Sequence, residues 1–104
     1  MQPAAALAEF RRATELEPGE ASYQYVYAVA LHSGGQRDEA VTVLKEALKR
    51  HPGNREILSA LVSFSRLAGD FTVALGYAER LAVIAPDGRS LKGLIEELRR
   101  ATKP

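Results

Sequence analysis

At 104 residues, 46% hydrophobic and 26% charged, the chain is long enough for one modest core. Its 14 basic and 13 acidic side chains leave no net field that would draw it to nucleic acid or anionic lipid. The absence of cysteine excludes disulfides, thiolate catalysis and zinc–thiolate sites, and no apolar run approaches the roughly 20 residues that cross a bilayer.

In chain order, the first element is a helix over 3–17, with Ala6, Leu7, Phe10, Ala13 and Leu16 at spacings of three and four, ended by Pro18. A second helix is predicted from Glu20 to Ser33, stopped by Gly34-Gly35, and a third from Arg37 to Arg50, stopped before Pro52 because the residue preceding a proline is biased away from helical geometry. The next pair runs from Asn54 or Arg55 to Leu67 and from Phe71 to Ile84, with Asn54 and Asp70 suited to cap the open amides at helix starts. A last helix spans Gly88 to Ala101. It carries Leu91, Leu94, Ile95 and Leu98 on one face and Lys92, Glu96, Glu97, Arg99 and Arg100 on the other. That makes about six helices with no strand. The start Met1-Gln2-Pro3-Ala4 lacks the charged region and apolar core of a secretion signal, so a soluble chain is expected, cytoplasmic or periplasmic.

These elements repeat. Pro18, Pro52 and Pro86 stand 34 residues apart, and so do Gly35 and Gly69. The helix before each proline carries the same apolar face: Ala40, Leu44, Ala47 and Leu48 in one copy, Ala74, Ala78, Leu81 and Ala82 in the next. Period and pattern together resemble the tetratricopeptide family, the helix–turn–helix repeat of this length. The first-helix pattern matches less well: the family's Trp, Leu, Gly and Tyr positions fall on Gln24, Tyr27, Ala28 and Leu31, then on Leu58, Leu61, Val62 and Ser65. In the third copy small Ala78 and large Leu81 exchange places, a swap that conserves core volume. The resemblance implies an all-α, right-handed α-solenoid of antiparallel helix pairs, divided as a half repeat 1–18, full repeats 19–52 and 53–86, and a capping helix 87–104. From the half repeat, a fragment of a longer array or of a multidomain protein is expected. Its Leu7 and Phe10 are expected to be undercovered and to pair two copies of the chain.

By the family's usual geometry the binding surface is the concave one, lined by the first helix of each repeat. Groove positions are then Ser22, Tyr25, Val29, His32 and Ser33, followed by Glu56, Ser59, Ser63, Arg66 and Leu67, with Ser90, Gly93, Glu97 and Arg100 added by the closing helix. An aromatic anchor beside small polar residues suits an extended peptide or a helix of a protein partner. Of Tyr23, Tyr25 and Tyr27, the first and third, four apart, are expected to pack inward or between helices, leaving Tyr25 to the groove or to solvent. The Lys, Asn and Arg clamp with which related co-chaperones grip a C-terminal carboxylate is missing, since matching positions include Tyr25, Val29 and Ala60.

Catalysis and cofactors find no support. His32 and Ser33 are adjacent and point about 100° apart on a helix, so they form no nucleophile–base pair. His51 sits at a helix C-terminus, where a capping role is expected. No HExxH, CxxC, Walker or GxGxxG pattern occurs. The expected function is a non-catalytic scaffold that binds a protein or peptide, without nucleic acid, membrane, metal or cofactor. The alternative is a spacer or self-association module of a larger, multidomain bacterial protein.

Overall fold

The computed structural model describes residues 7–9, 11–12, 20–85 and 88–103. Every regular element among them is α-helical: residues 7–9 and 11–12, then α1 (Ala21–Ser33), α2 (Arg37–Arg50), α3 (Arg55–Leu67), α4 (Phe71–Ile84) and α5 (Arg89–Thr102). The expected boundaries hold to within one residue for α1–α5, while the limits expected for the first helix, 3–17, lie outside the described residues. Glu20 is the N-cap of α1 in extended geometry, not its first turn, and the last helix begins after Gly88 and ends at Thr102. Phe10, one of the two residues expected to pair copies, lies outside the described residues, and Leu7 is half-buried.

Two chain reversals of the same construction set the period. At the end of α1 the amide of Gly35 donates to the carbonyl of His32 at 3.1 Å and that of Gln36 donates to Leu31 at 2.9 Å. At the end of α3 the amide of Gly69 donates to Arg66 at 2.9 Å and that of Asp70 to Ser65 at 2.9 Å. This paired satisfaction of the last carbonyls requires a left-handed residue just past the helix, and Gly35 (φ 89) and Gly69 (φ 79) supply it. Asp70 then starts the following helix, its Oδ1 accepting from the Val73 amide at 3.4 Å, while Asn54 Oδ1 accepts from the Ile57 amide at 3.0 Å to start α3. Gln36 occupies the place of Asp70 one period earlier and caps nothing with its side chain. The proline turns match as well. His51 (φ −131, ψ 67), before Pro52, and Ala85 (φ −126, ψ 70) leave helical geometry in the same way, each amide still donating to the carbonyl four residues back.

The chain divides into two compact units, Met1–Ile57 and Leu58–Pro104, with the boundary inside α3. In the first unit α1 and α2 pack as a hairpin. Its interior takes Gln24, Tyr27, Ala28 and Leu31 from α1 and Ala40, Leu44, Ala47 and Leu48 from α2, all buried. In the second unit Val62 of α3, Ala74 and Ala78 of α4, and Ile95 and Leu98 of α5 form one core cluster, with Leu75, Tyr77, Ala82, Leu91 and Leu94 packed against it. The first-helix positions of the second copy, Leu58, Leu61, Val62 and Ser65, are buried as well. Alanines with no exposed surface at 28, 40, 74 and 78 put small side chains among the large ones of these interiors, where neighbouring backbones can approach.

One expectation is corrected. Tyr27 is buried, but Tyr23 is 41% exposed and does not pack inward. At 100° per residue, Tyr23 stands roughly 90° from the centre of the stripe formed by Gln24, Tyr27, Ala28 and Leu31, too far round the helix to share it.

The glycines give a paired prediction. A Cβ added at Gly69 would meet nothing within 4 Å, so Gly69→Ala is resisted by the backbone alone and should destabilise by about 1 kcal/mol. A Cβ at Gly76, within α4, also meets nothing within 4 Å, but there the conformation is helical and Gly76→Ala should stabilise by about 0.5–1 kcal/mol. Urea denaturation of both variants checks the opposite signs.

Candidate functional site

The first helix of the described repeat puts its side chains into separate angular sectors. With Gln24, Tyr27, Ala28 and Leu31 turned inward, the residues at Ser22, Tyr25, Val29, His32 and Ser33 fall on another side of α1, and the structure leaves Ser22, Val29 and Ser33 exposed, with Tyr25 and His32 half-buried. The corresponding residues of α3, Glu56, Ser59, Ser63, Arg66 and Leu67, are all exposed, in steps of three and four up to Arg66. On α5, Ser90, Gly93, Glu97 and Arg100 are exposed too.

The first unit brings three of these residues together. A cleft of about 200 Å³ is lined by Glu20, Ala21, Ser22, Tyr25, Asn54 and Glu56. Here the start of α1 meets the turn that leads into α3. Ser22 Oγ donates to Glu20 Oε1 at 3.1 Å, and Asn54 is held by its capping bond to Ile57. Half-buried Tyr25 is the one aromatic residue of this lining, and Glu20 and Glu56 are its two carboxylates. Such a cleft favours a donor or cationic side chain laid over an aromatic face. Glu20 and Asn54 are the residues that sequence reasoning missed. A carboxylate two residues before Ser22 and a cap two before Glu56 were the available signals.

In the second unit Arg66 faces Glu97, with a guanidinium nitrogen 3.9 Å from Oε1 and side chains 45% and 63% exposed. Two residues assigned to the groove from sequence thus meet across α3 and α5. A second exposed pair, Arg99 to Glu79 at 3.2 Å, ties α5 to α4. A larger cleft of about 280 Å³ lies elsewhere, between α1 and α2, lined by Gln24, Tyr27, Thr42, Val43, Glu46, Ala47 and Arg50 and by none of the groove residues.

Among the described residues no three His, Asp or Glu side chains are grouped to hold a metal ion, and no helix is long and apolar enough to cross a membrane.

Hairpins of two helices, closed by identical glycine turns at a fixed period, define a helical-repeat interaction protein. The sequence model of the tetratricopeptide repeat family matches residues 2–63, well over half of the chain. The chain belongs to the tetratricopeptide repeat family, whose repeats generally mediate protein–protein interaction and are typically non-catalytic. No curated protein matches the chain.

The Arg66–Glu97 pair is solvent-screened, so Glu97→Gln should change the unfolding free energy by less than about 0.5 kcal/mol. A loss above about 1 kcal/mol in urea denaturation would instead make the pair a structural tie.

Proposed function

We propose that this protein is a non-catalytic scaffold that holds an extended segment or helix of a partner protein on the open faces of its first-type helices. In the first unit the contact residues are Ser22, Tyr25, Val29, His32, Ser33 and Glu56; in the second they are Ser59, Ser63 and Arg66. The observation that carries the proposal is the cleft that Tyr25 lines together with Glu20, Ser22, Asn54 and Glu56. A tyrosine half-withdrawn from water offers a large rigid surface at low entropic cost, and its hydroxyl can bond at the rim. The carboxylates beside it select a partner side chain that carries positive charge or donates hydrogen bonds. In the second unit, Arg66 can exchange Glu97 for a carboxylate of the partner at small cost, because the pair is exposed.

An amide-shift titration of the full chain against a peptide library tests this. The expected result is shifts gathered on residues 20–33 and 54–66, from peptides that contain Lys or Arg. With the best peptide, Tyr25→Ala should weaken binding about tenfold or more while leaving the melting temperature nearly unchanged. Equal affinity with a lowered melting temperature would assign Tyr25 to packing and sink the proposal.

A further inference from the structure

The cleft of about 280 Å³ between α1 and α2 shares no described residue with the proposed contact surface, and the repeat period gives its origin. Two of its lining residues on α2 are Val43 and Ala47; one period later the same positions carry Tyr77 and Leu81. Leu81 is buried, and half-buried Tyr77 packs on the core of the second unit. The first hairpin therefore lacks, on its second helix, a phenol ring and an isobutyl group that the second hairpin supplies from its own chain. Its first helix returns part of that bulk, with Tyr27 where the second copy has Leu61, and the cleft is the space that remains. Tyr27 is buried and its hydroxyl accepts from Arg11 Nε at 3.3 Å, so this ring is tied in place.

The lining selects what fits there. Gln24, whose counterpart one period later is Leu58, is only 9% exposed and contributes an amide. An amide has two donors and an oxygen with two lone pairs, so it keeps capacity beyond any one bond it makes. The Thr42 hydroxyl donates to the carbonyl of Asp38 at 3.0 Å, which leaves its oxygen able to accept. Glu46 and Arg50, four apart on α2, bring one charge of each sign, so the described lining residues carry no net charge to draw an ion. A neutral ring that bears a hydroxyl matches this set, its carbons against Tyr27, Val43 and Ala47 and its oxygen within the reach of an amide and a second hydroxyl. Size agrees. A cavity of about 150 Å³ holds one benzene, so 280 Å³ takes a substituted single ring and falls short of the range for drug-sized ligands. We propose that the α1–α2 cleft is a binding site for a phenol group, carried by a small molecule or by a tyrosine of a partner, which restores to the first hairpin the bulk that Tyr77 and Leu81 give the second.

The test is a chemical-shift titration of the full-length chain with p-cresol. Saturable shifts are expected at the Gln24 side-chain amide and at the methyl groups of Val43 and Ala47, with a Kd of about 1 mM or tighter. Toluene, which lacks the hydroxyl, should bind about fivefold more weakly, and Gln24→Leu should remove that preference. Ala47→Leu, which installs the residue of the second copy, should weaken p-cresol by about tenfold or more and raise the melting temperature. A second filling variant, Val43→Tyr, should weaken it likewise, whereas Tyr25→Ala should leave the affinity unchanged. The capped tripeptide Gly-Tyr-Gly assigns the source: binding tighter than p-cresol gives the site to a partner's tyrosine, and weaker binding gives it to a small molecule. The proposal is overturned by the absence of saturable shifts at the cleft up to about 10 mM p-cresol. Toluene binding as tightly as p-cresol, or undiminished affinity in both Ala47→Leu and Val43→Tyr, overturns it as well.

Discussion

The structure depends on small residues buried between helices, of which Ala40 and Ala74 stand one period apart. Ala28, Ala40, Ala74 and Ala78 have no exposed surface, and their small side chains let neighbouring helices approach. Because helices can be brought near only where small meets large, the hairpin fixes which stripe of each helix is interior. The remaining stripes are then set by the geometry of the helix alone. Ser22, Tyr25 and Val29 fall on one open side and Tyr23, Val26 and Ala30 on another as consequences of where Ala28 and Leu31 must go.

The turns serve the same constraint. A reversal of three residues between helices admits little slack, and the left-handed glycines at 35 and 69 satisfy the last carbonyls while the next helix begins at once. The prolines act at the other end of the hairpin, forcing His51 and Ala85 out of helical geometry. With both reversals tied to local chemistry, the period can persist while individual residues drift. Gln36 in place of Asp70 removes a side-chain cap, and Leu44 in place of Ala78 changes the size of a core residue, without moving the elements.

This is why so much of the fold was legible in the sequence. Helix limits follow from Gly, Pro and capping residues, and the buried face of the second helices follows from a pattern seen more than once; Gln24 and Ser65, polar in type, are buried at positions where residue type gave no such signal. The candidate site was legible by sector and not by partner. Ser22, Tyr25 and Glu56 could be assigned to open faces, but their meeting with Glu20 and Asn54 in one cleft depends on how the turn into α3 lies against the start of α1. The meeting of Arg66 with Glu97 likewise depends on side-chain reach between helices. Tyr23 escaped because its spacing of four from Tyr27 suggested a shared face, whereas its angle from the centre of the buried stripe decides burial.

Recognition is what such an arrangement leaves to its surface, because the interior of the hairpins is already committed. The most direct test of that commitment is a methyl NOE spectrum of the full-length protein labelled at Ala, Val, Leu and Ile. Strong cross-peaks linking Val62, Ala78 and Leu98, and a separate set linking the Leu31 and Leu44 methyls to those of Ala28 and Ala40, are predicted from the small-to-large contacts. Methyl groups of Leu98 or Leu44 that show no partner other than their own helix would contradict the close approach, and with it the assignment of every open face.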